Sequence, residues 1–349
     1  MKNYFLFSAA ILFCSSLVAQ NLGGLALASS DASLLTQNYL NPAIQGMMSD
    51  MNSGWYSSAK IHKSFGFDIT IVANLSLVPD SGKYFYFNPS DYTYLSTGNG
   101  ETQLETVMGE IDNSTTIDVS IPDGSGNYKV GSFDLPGGVA GDLPMNGVPL
   151  PMVQVGLGIP VVNSDIKLRL LPKQTYDNST SVSMFGIGLQ HEITKHIVPA
   201  SMVLPLHLSI FGGYTSLSSE HVFSSQPGSD VVVPNGQAVF NLNAFTVQAL
   251  ASIDFTLLSL YGSVGYSNGT TELNLNGDYT LNYDVTDSNG MVVGTVQEQI
   301  SDPLALEFSQ SGLRSTLGAR LNLAFFKIFA DYTFQEYNTL TAGIALSFK

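Results

Sequence analysis

The sequence is short of charge, short of cations and almost free of cysteine. Of its 349 residues, 12% are charged, with 13 Lys+Arg against 28 Asp+Glu, and there is one Cys. A soluble surface usually carries about 25% charged residues, so a large water-facing exterior is disfavoured. The formal net charge of −15 leaves no basic face, which excludes nucleic acid as a partner. Beyond the first 19 residues no apolar run approaches the ~18 needed for a spanning helix, which excludes a multi-span helical transporter. With 20 Phe and 16 Tyr the chain is too aromatic for intrinsic disorder.

Residues 1–19 have the form of a secretory signal peptide. Lys2 gives a positive start, Tyr4 to Val18 is apolar apart from three serines, and Ala19 before Gln20 supplies the small cleavage residue. The single Cys14 lies inside this run, so an exported chain starting at Gln20 has no disulfide. That combination suits a bacterial envelope better than a small secreted scaffold.

The mature chain alternates with a period of two. From Phe65 to Leu77 every odd position is apolar, and the even positions are Gly66, Asp68, Thr70, Val72, Asn74 and Ser76. Such alternation puts one face of a strand in an apolar medium. It returns over Leu313–Phe325, Ile328–Phe334 and Leu340–Phe348, with further stretches between Val153 and Ile300. A soluble sandwich would alternate too. Strand length near the ~9–11 residues of a tilted membrane strand, polar faces of Gly, Ser, Thr and Asn, and apolar faces mixing Leu and Ile with Phe and Tyr favour a transmembrane antiparallel β-barrel in an outer membrane, with membrane lipid as its partner. Turn signals at Ser267-Asn268-Gly269 and Asp287-Ser288-Asn289-Gly290 separate candidate strands. Near the C-terminus, Phe326-Lys327 is expected as a two-residue turn. It would pair Leu323 with Ala330, Asn322 with Asp331 and Arg320 with Thr333, leaving Arg320 diagonal to Asp331.

Residues 20–52 do not alternate. Ser30-Asp31 can cap a short helix carrying Leu34, Leu35 and Leu40, and Pro42 opens a second segment holding Met47, Met48 and Met51. This predicts an N-terminal plug over 20–52 and one barrel over 53–349. Residues 88–151, rich in Gly, Pro, Asp and Asn, form either a long surface loop or an inward-folded constriction.

Asp31-Ala32-Ser33 followed by Asn41-Pro42-Ala43 resembles the N-terminal hatch of the long-chain fatty acid and hydrocarbon transport family of outer-membrane proteins. Gly54-Trp55-Tyr56, Ala59-Lys60, His62-Lys63 and Gly66-Phe67-Asp68 resemble an uncharacterised group of bacterial outer-membrane barrels. The first resemblance implies about 14 strands around a short helical plug, and a small hydrophobic ligand. The specific likeness covers roughly residues 25–80.

Catalytic motifs fail on spacing. His191-Glu192 with His196 is i, i+5 rather than the i, i+4 of a zinc protease helix. Gly265-Tyr266-Ser267-Asn268-Gly269 matches a nucleophile elbow, but an alternating strand comes next where a helix is required, so it is expected to be a hairpin loop. Asp123-Gly124-Ser125-Gly126-Asn127 lacks the distal Glu of a calcium loop and is expected to be a turn. No cofactor, metal or enzymatic activity is expected.

The candidate site residues are of two kinds. Asn41, Pro42, Met47, Met48 and Met51 would line the plug, the methionines as wall packing or as an adaptable greasy surface. Asp68, Lys167, Arg169, Arg314, Arg320 and Asp331 fall on polar faces and would point into the lumen, where they pair to hold the wall or plug, or select solutes. Trp55 is expected as an interfacial anchor, with a pore gate as the alternative. Two functions remain open: a passive channel for small hydrophobic compounds, or a non-transporting structural or secretion-associated barrel that meets an unidentified protein partner through its loops.

Overall fold

The computed structural model describes residues 29–110, 114–176, 178–197, 205–224 and 231–348. The signal peptide and Gln20 lie outside the described residues. The chain opens with helix α1 (Ser29–Met51), then β1 (Phe67–Leu77). Short strands β2 (Tyr84–Tyr86), β3 (Leu95–Thr97) and β4 (Gln103–Glu105) precede the hairpin β5 (Thr115–Pro122) and β6 (Tyr128–Leu135). Next come β7 (Gly147–Ile159), β8 (Ser164–Tyr176), β9 (Thr180–Glu192), one turn of helix α2 (Thr194–Ile197), and β10 (Leu206–Phe223). After β11 (Val231–Val232) run β12 (Gly236–Asp254), β13 (Leu258–Asn276), β14 (Asp278–Thr286) and β15 (Val292–Ser301), and the chain closes with β16 (Leu304–Leu323), β17 (Phe326–Phe334) and β18 (Thr339–Phe348).

Ten strands form a closed barrel in the order β1-β18-β17-β16-β13-β12-β10-β9-β8-β7, every pair antiparallel. The 14 strands implied by resemblance are therefore corrected to ten. The length went elsewhere: β10, β12, β13 and β16 run 18 to 20 residues, roughly twice what a membrane needs, and residues 78–146 and 277–303 build, with β11, a separate six-stranded sheet and the small β2–β4 pair. Outward residues on the lower part of each long strand are apolar, as with Leu313, Leu317, Leu321 and Leu323 on β16, and they become polar above, at Glu307, Ser309 and Ser311. The belt stops there and the wall continues into water.

Turns between 159 and 164, 254 and 258, and 323 and 326 are short, and the barrel's two chain ends, Phe67 and Phe348, meet at that same rim. The connection 193–205 also starts and ends at that rim, while the longest insertions, 78–146 and 277–303, leave from the opposite one. In outer-membrane barrels short turns face the periplasm and long loops the exterior, which defines the inner and outer ends. Residues 88–151, expected as an irregular loop or constriction, hold folded strands. Together with β14 and β15 they make a cap on the outer end, where β6 pairs with β14 and β5 with β3. The Asp123 carboxylate closes the β5–β6 turn by accepting from the Ser125 and Asn127 amides.

Two further expectations are corrected. Ser267-Asn268-Gly269 is no turn, and the Gly265–Gly269 stretch is no hairpin loop; β13 runs through both. Glycine is needed at 269 because a Cβ there would come within 2.8 Å of the Met48 Cγ on α1. In the last hairpin, Ala324-Phe325 forms the turn, with Ala324 at φ 58. Leu323 then pairs with Phe326, Asn322 with Lys327, and Asp331 with Gly318. The faces are unchanged, because the slip is an even number of residues; the partners are not.

Candidate functional site

The barrel lumen is occupied. Helix α1 is one 23-residue helix through Pro42, not two segments. It enters at the cap, where the Asp31 carboxylate accepts from the Thr93 (2.8 Å) and Tyr94 (2.7 Å) amides instead of capping its own helix. Tyr39 is tied to the cap through its carbonyl, which accepts from the Val107 amide. Lower down, Gln45 donates to the carbonyls of Asn41 (side chain) and Ser309. Met47, Met48 and Met51 are all buried, and Met48 packs on the flat of Gly269. A proline inside a helix forfeits a backbone hydrogen bond; here wall contacts on several sides hold the helix across it.

The helix ends inside the barrel, so its last carbonyls need partners. The wall provides them. Arg169 on β8 donates to the Met51 carbonyl (2.7 Å) and the Ser53 carbonyl (2.6 Å). Asn74 on β1 donates to the Asp50 carbonyl (2.9 Å). Arg314 on β16 donates to the Ser53 hydroxyl (2.8 Å). Three basic or amide side chains thus converge on the negative end of the helix dipole, where cations are favoured.

The sequence placed the barrel start at residue 53; in the structure residues 52–66 continue down the lumen, and β1 begins only at Phe67. Trp55 is 2% exposed, so it is an interior residue and not an interfacial anchor. Its ring lies under the Arg169 guanidinium, 3.6 Å from centroid to Cζ, and 5.5 Å from the Phe211 ring. Gly188 and Gly213 leave the space, since a Cβ on either would approach Trp55 within about 3 Å. The Trp55 carbonyl accepts from Lys167 (2.9 Å) and Gln154 (3.2 Å). Tyr56 bonds Gln248 and Ser263 through its hydroxyl.

Arg320 and Asp331 do not pair with each other. Arg320 donates to Asp254 (3.0 Å), Ser259 (3.2 Å) and Ser57 (3.4 Å), whereas Asp331 accepts from Tyr261 (2.8 Å). The reason is the register: Arg320 faces Phe329 across the ladder, while the Tyr261 ring on β13 lies over Gly318 and reaches Asp331, the ladder partner of Gly318. Asp68 lies at the inner mouth, 2.9 Å from His62 Nε2, while His62 Nδ1 lies 2.8 Å from Asp165. His62, Asp165, Asp254 and Lys327 were missed in the sequence. The one available signal was that the Trp55–Lys63 stretch, though rich in polar residues, does not alternate.

His62 joins the end of the lumen segment to two strands. Burial disfavours the imidazolium, but the Asp165 and Asp68 carboxylates outweigh it and raise its pKa above the usual value. A raised histidine stabilises below its unfolded value of about 6.5 and loses that contribution as pH rises through the folded value. The wild-type melting temperature should therefore fall more from pH 6 to 9 than that of His62→Gln. Superimposable profiles would show that the clamp adds nothing.

A closed antiparallel barrel with an apolar outward belt, a polar plugged lumen and a cap on the long-loop end is an outer-membrane β-barrel. Over residues 1–348 the chain matches the family of unknown function DUF6588, and it belongs to that family. No curated protein matches it. Among solved structures it is similar to the attachment invasion locus protein Ail of Yersinia pestis, 9% identical over 82% of this chain and 100% of that one, at a TM-score of 0.25. It is also similar to the translocator domain of the autotransporter NalP from Neisseria meningitidis, 11% identical over 91% and 98%, TM-score 0.25. The transport unit of the autotransporter AIDA-I from Escherichia coli is 8% identical over 89% and 99%, TM-score 0.27. At these scores it is the chain's own ladder and belt that place it in the membrane.

Proposed function

We propose that this protein is a closed, non-transporting outer-membrane barrel without enzymatic activity, and that it holds a folded cap at the cell surface for a protein partner. One observation carries the reading: a continuous segment from α1 to residue 66 fills the lumen and is bonded to the wall at several levels, while the cap packs over its upper end. Ten staves leave room for little more than one helix. The cap is acidic: residues 78–146 carry ten Asp or Glu against Lys83 and Lys129, which suits a basic partner surface.

The channel reading draws on the hatch-like Asp31-Ala32-Ser33 and Asn41-Pro42-Ala43, and both lie on α1 inside the lumen. Its expected greasy ligand surface is taken up by packing, for Met47, Met48 and Met51 are all buried against the wall or cap. Charged side chains line both of two lumen cavities, one of about 10 Å³ beside Arg314 and Asp331, and one of about 660 Å³ at the inner mouth, where Ile61, Phe255, Leu257 and Phe348 also take part. Planar-bilayer recording tests the choice. Full-length protein should show no unit conductance, and deletion of residues 29–51 should open a steady one. Stable conductance by the intact chain, with uptake of an apolar dye, would return the protein to the channel class.

A further inference from the structure

The inner mouth gathers charge of the sign this chain lacks. Its cavity of about 660 Å³ is lined by Lys60, Lys63, Lys167, Arg320 and Lys327, five of only 13 Lys+Arg in the protein. Three carboxylates share the cavity, and each is already engaged. Asp68 and Asp165 flank His62, and Asp254 accepts from Arg320, Ser252, Ser259 and Ser58. Lys167 is held by the Trp55 carbonyl. The side-chain ammonium groups of Lys327 on β17, half-buried, and of Lys60 and Lys63 on the lumen segment have no hydrogen-bond or ion-pair partner among the described residues. Five cations thus face three satisfied carboxylates in a recess of small-molecule size, and three ammonium groups from two different elements are left to bond something else.

We propose that this mouth is a binding site for a multivalent oxyanion, a phosphate- or polycarboxylate-bearing molecule presented from the periplasmic side. Convergent ammonium groups in a recess with low-dielectric walls raise local anion concentration and hold it by charge-assisted hydrogen bonds. The backbone keeps the recess open: a Cβ at Gly158 would sit 2.3 Å from the Lys63 carbonyl, so glycine lets the lysine-bearing segment lie flat on β7. Exposed Phe255 and half-exposed Phe348 stand at the same rim. A phospholipid headgroup in the inner leaflet and a soluble phosphate compound therefore present the same chemistry. The site does not depend on whether the barrel conducts.

The test uses the full chain in zwitterionic detergent, titrated calorimetrically with pyrophosphate and with citrate, and with acetate as the monovalent control. Saturable, salt-sensitive binding of the multivalent anions is expected. Lys327→Gln should weaken it at least tenfold, and Lys327→Arg should restore most of it. Lys60→Gln with Lys63→Gln, at exposed positions where folding is not at stake, should weaken it several-fold. Lys173→Gln, paired with Glu220 near the outer rim, should change nothing. In nanodiscs, competition by phosphatidylglycerol but not phosphatidylcholine would identify the headgroup as the source; equal affinity in both would identify a soluble oxyanion. No saturable heat, or wild-type affinity in both the Lys327→Gln and the rim variants, overturns the site.

Discussion

Replacing Arg169 with alanine is expected to unseat the lumen helix. The guanidinium is fully buried, donates to two carbonyls at the end of α1 and covers the Trp55 ring. Its removal leaves the Met51 carbonyl short of a donor in a dry setting, at about 1–3 kcal/mol, leaves the Ser53 carbonyl with the Asn74 amide alone (3.3 Å), and takes the cation from Trp55, at about 0.5–2 kcal/mol. The expected loss is about 2–5 kcal/mol, read as a lower unfolding midpoint and faster amide exchange along α1. Trp55→Ala should cost a similar amount through its cavity. Because the two side chains touch, the double variant should lose less than the sum. Full additivity would mean that the helix end is not held as a unit, and an unshifted midpoint for Arg169→Ala would remove the seat altogether.

The second large effect lies on the opposite face of the wall. Ile71 on β1 is 63% exposed and sits mid-strand between Val153 on β7 and Ile344 on β18, both also exposed. Arginine there would face lipid from three neighbouring strands with no polar group beside it. A cost of about 2–4 kcal/mol is expected at mid-bilayer, with reduced heat-modifiable mobility on gels as a simple readout. Val72→Arg, one residue along, points at the plug instead and should fail through steric conflict with the lumen segment, since Val72 is fully buried. If Ile71→Arg assembles with unchanged stability, the strand does not face lipid.

Which way each strand faces was legible because parity needs only the order of residues. Phe67, Ile69 and Ile71 are exposed, and Arg169, Arg314 and Arg320 are buried inward, as their positions in the alternation require. Strand ends were less legible. Alternation continues above the bilayer wherever a cap packs inside the wall, so β13 passes through Ser267-Asn268-Gly269, where composition suggests a turn. In the last hairpin the turning residue is Ala324, which carries no turn chemistry, and the register followed from geometry that the residue types do not announce. The partners of the inward arginines were out of reach for a different reason. Arg169 is satisfied by backbone carbonyls 118 and 116 residues away, and every residue type offers a carbonyl, so no side-chain pattern marks the acceptor.

The helix comes before every strand in the chain, yet it fills the volume the strands enclose. At 1.5 Å per residue α1 is about 35 Å long, and the cap it is bonded to covers the outer mouth. A finished cylinder would have to swallow this rod lengthwise, past the Met48–Gly269 contact and the Arg169 seat. The simpler order is the reverse. The growing sheet bends around the rod as a stave wall around a mandrel, and the seam where β1 meets β18, joining Phe67 to Phe348 and Ser76 to Thr339, shuts last. On that order the arginine-held helix guides the closing of the wall as well as stopping its lumen.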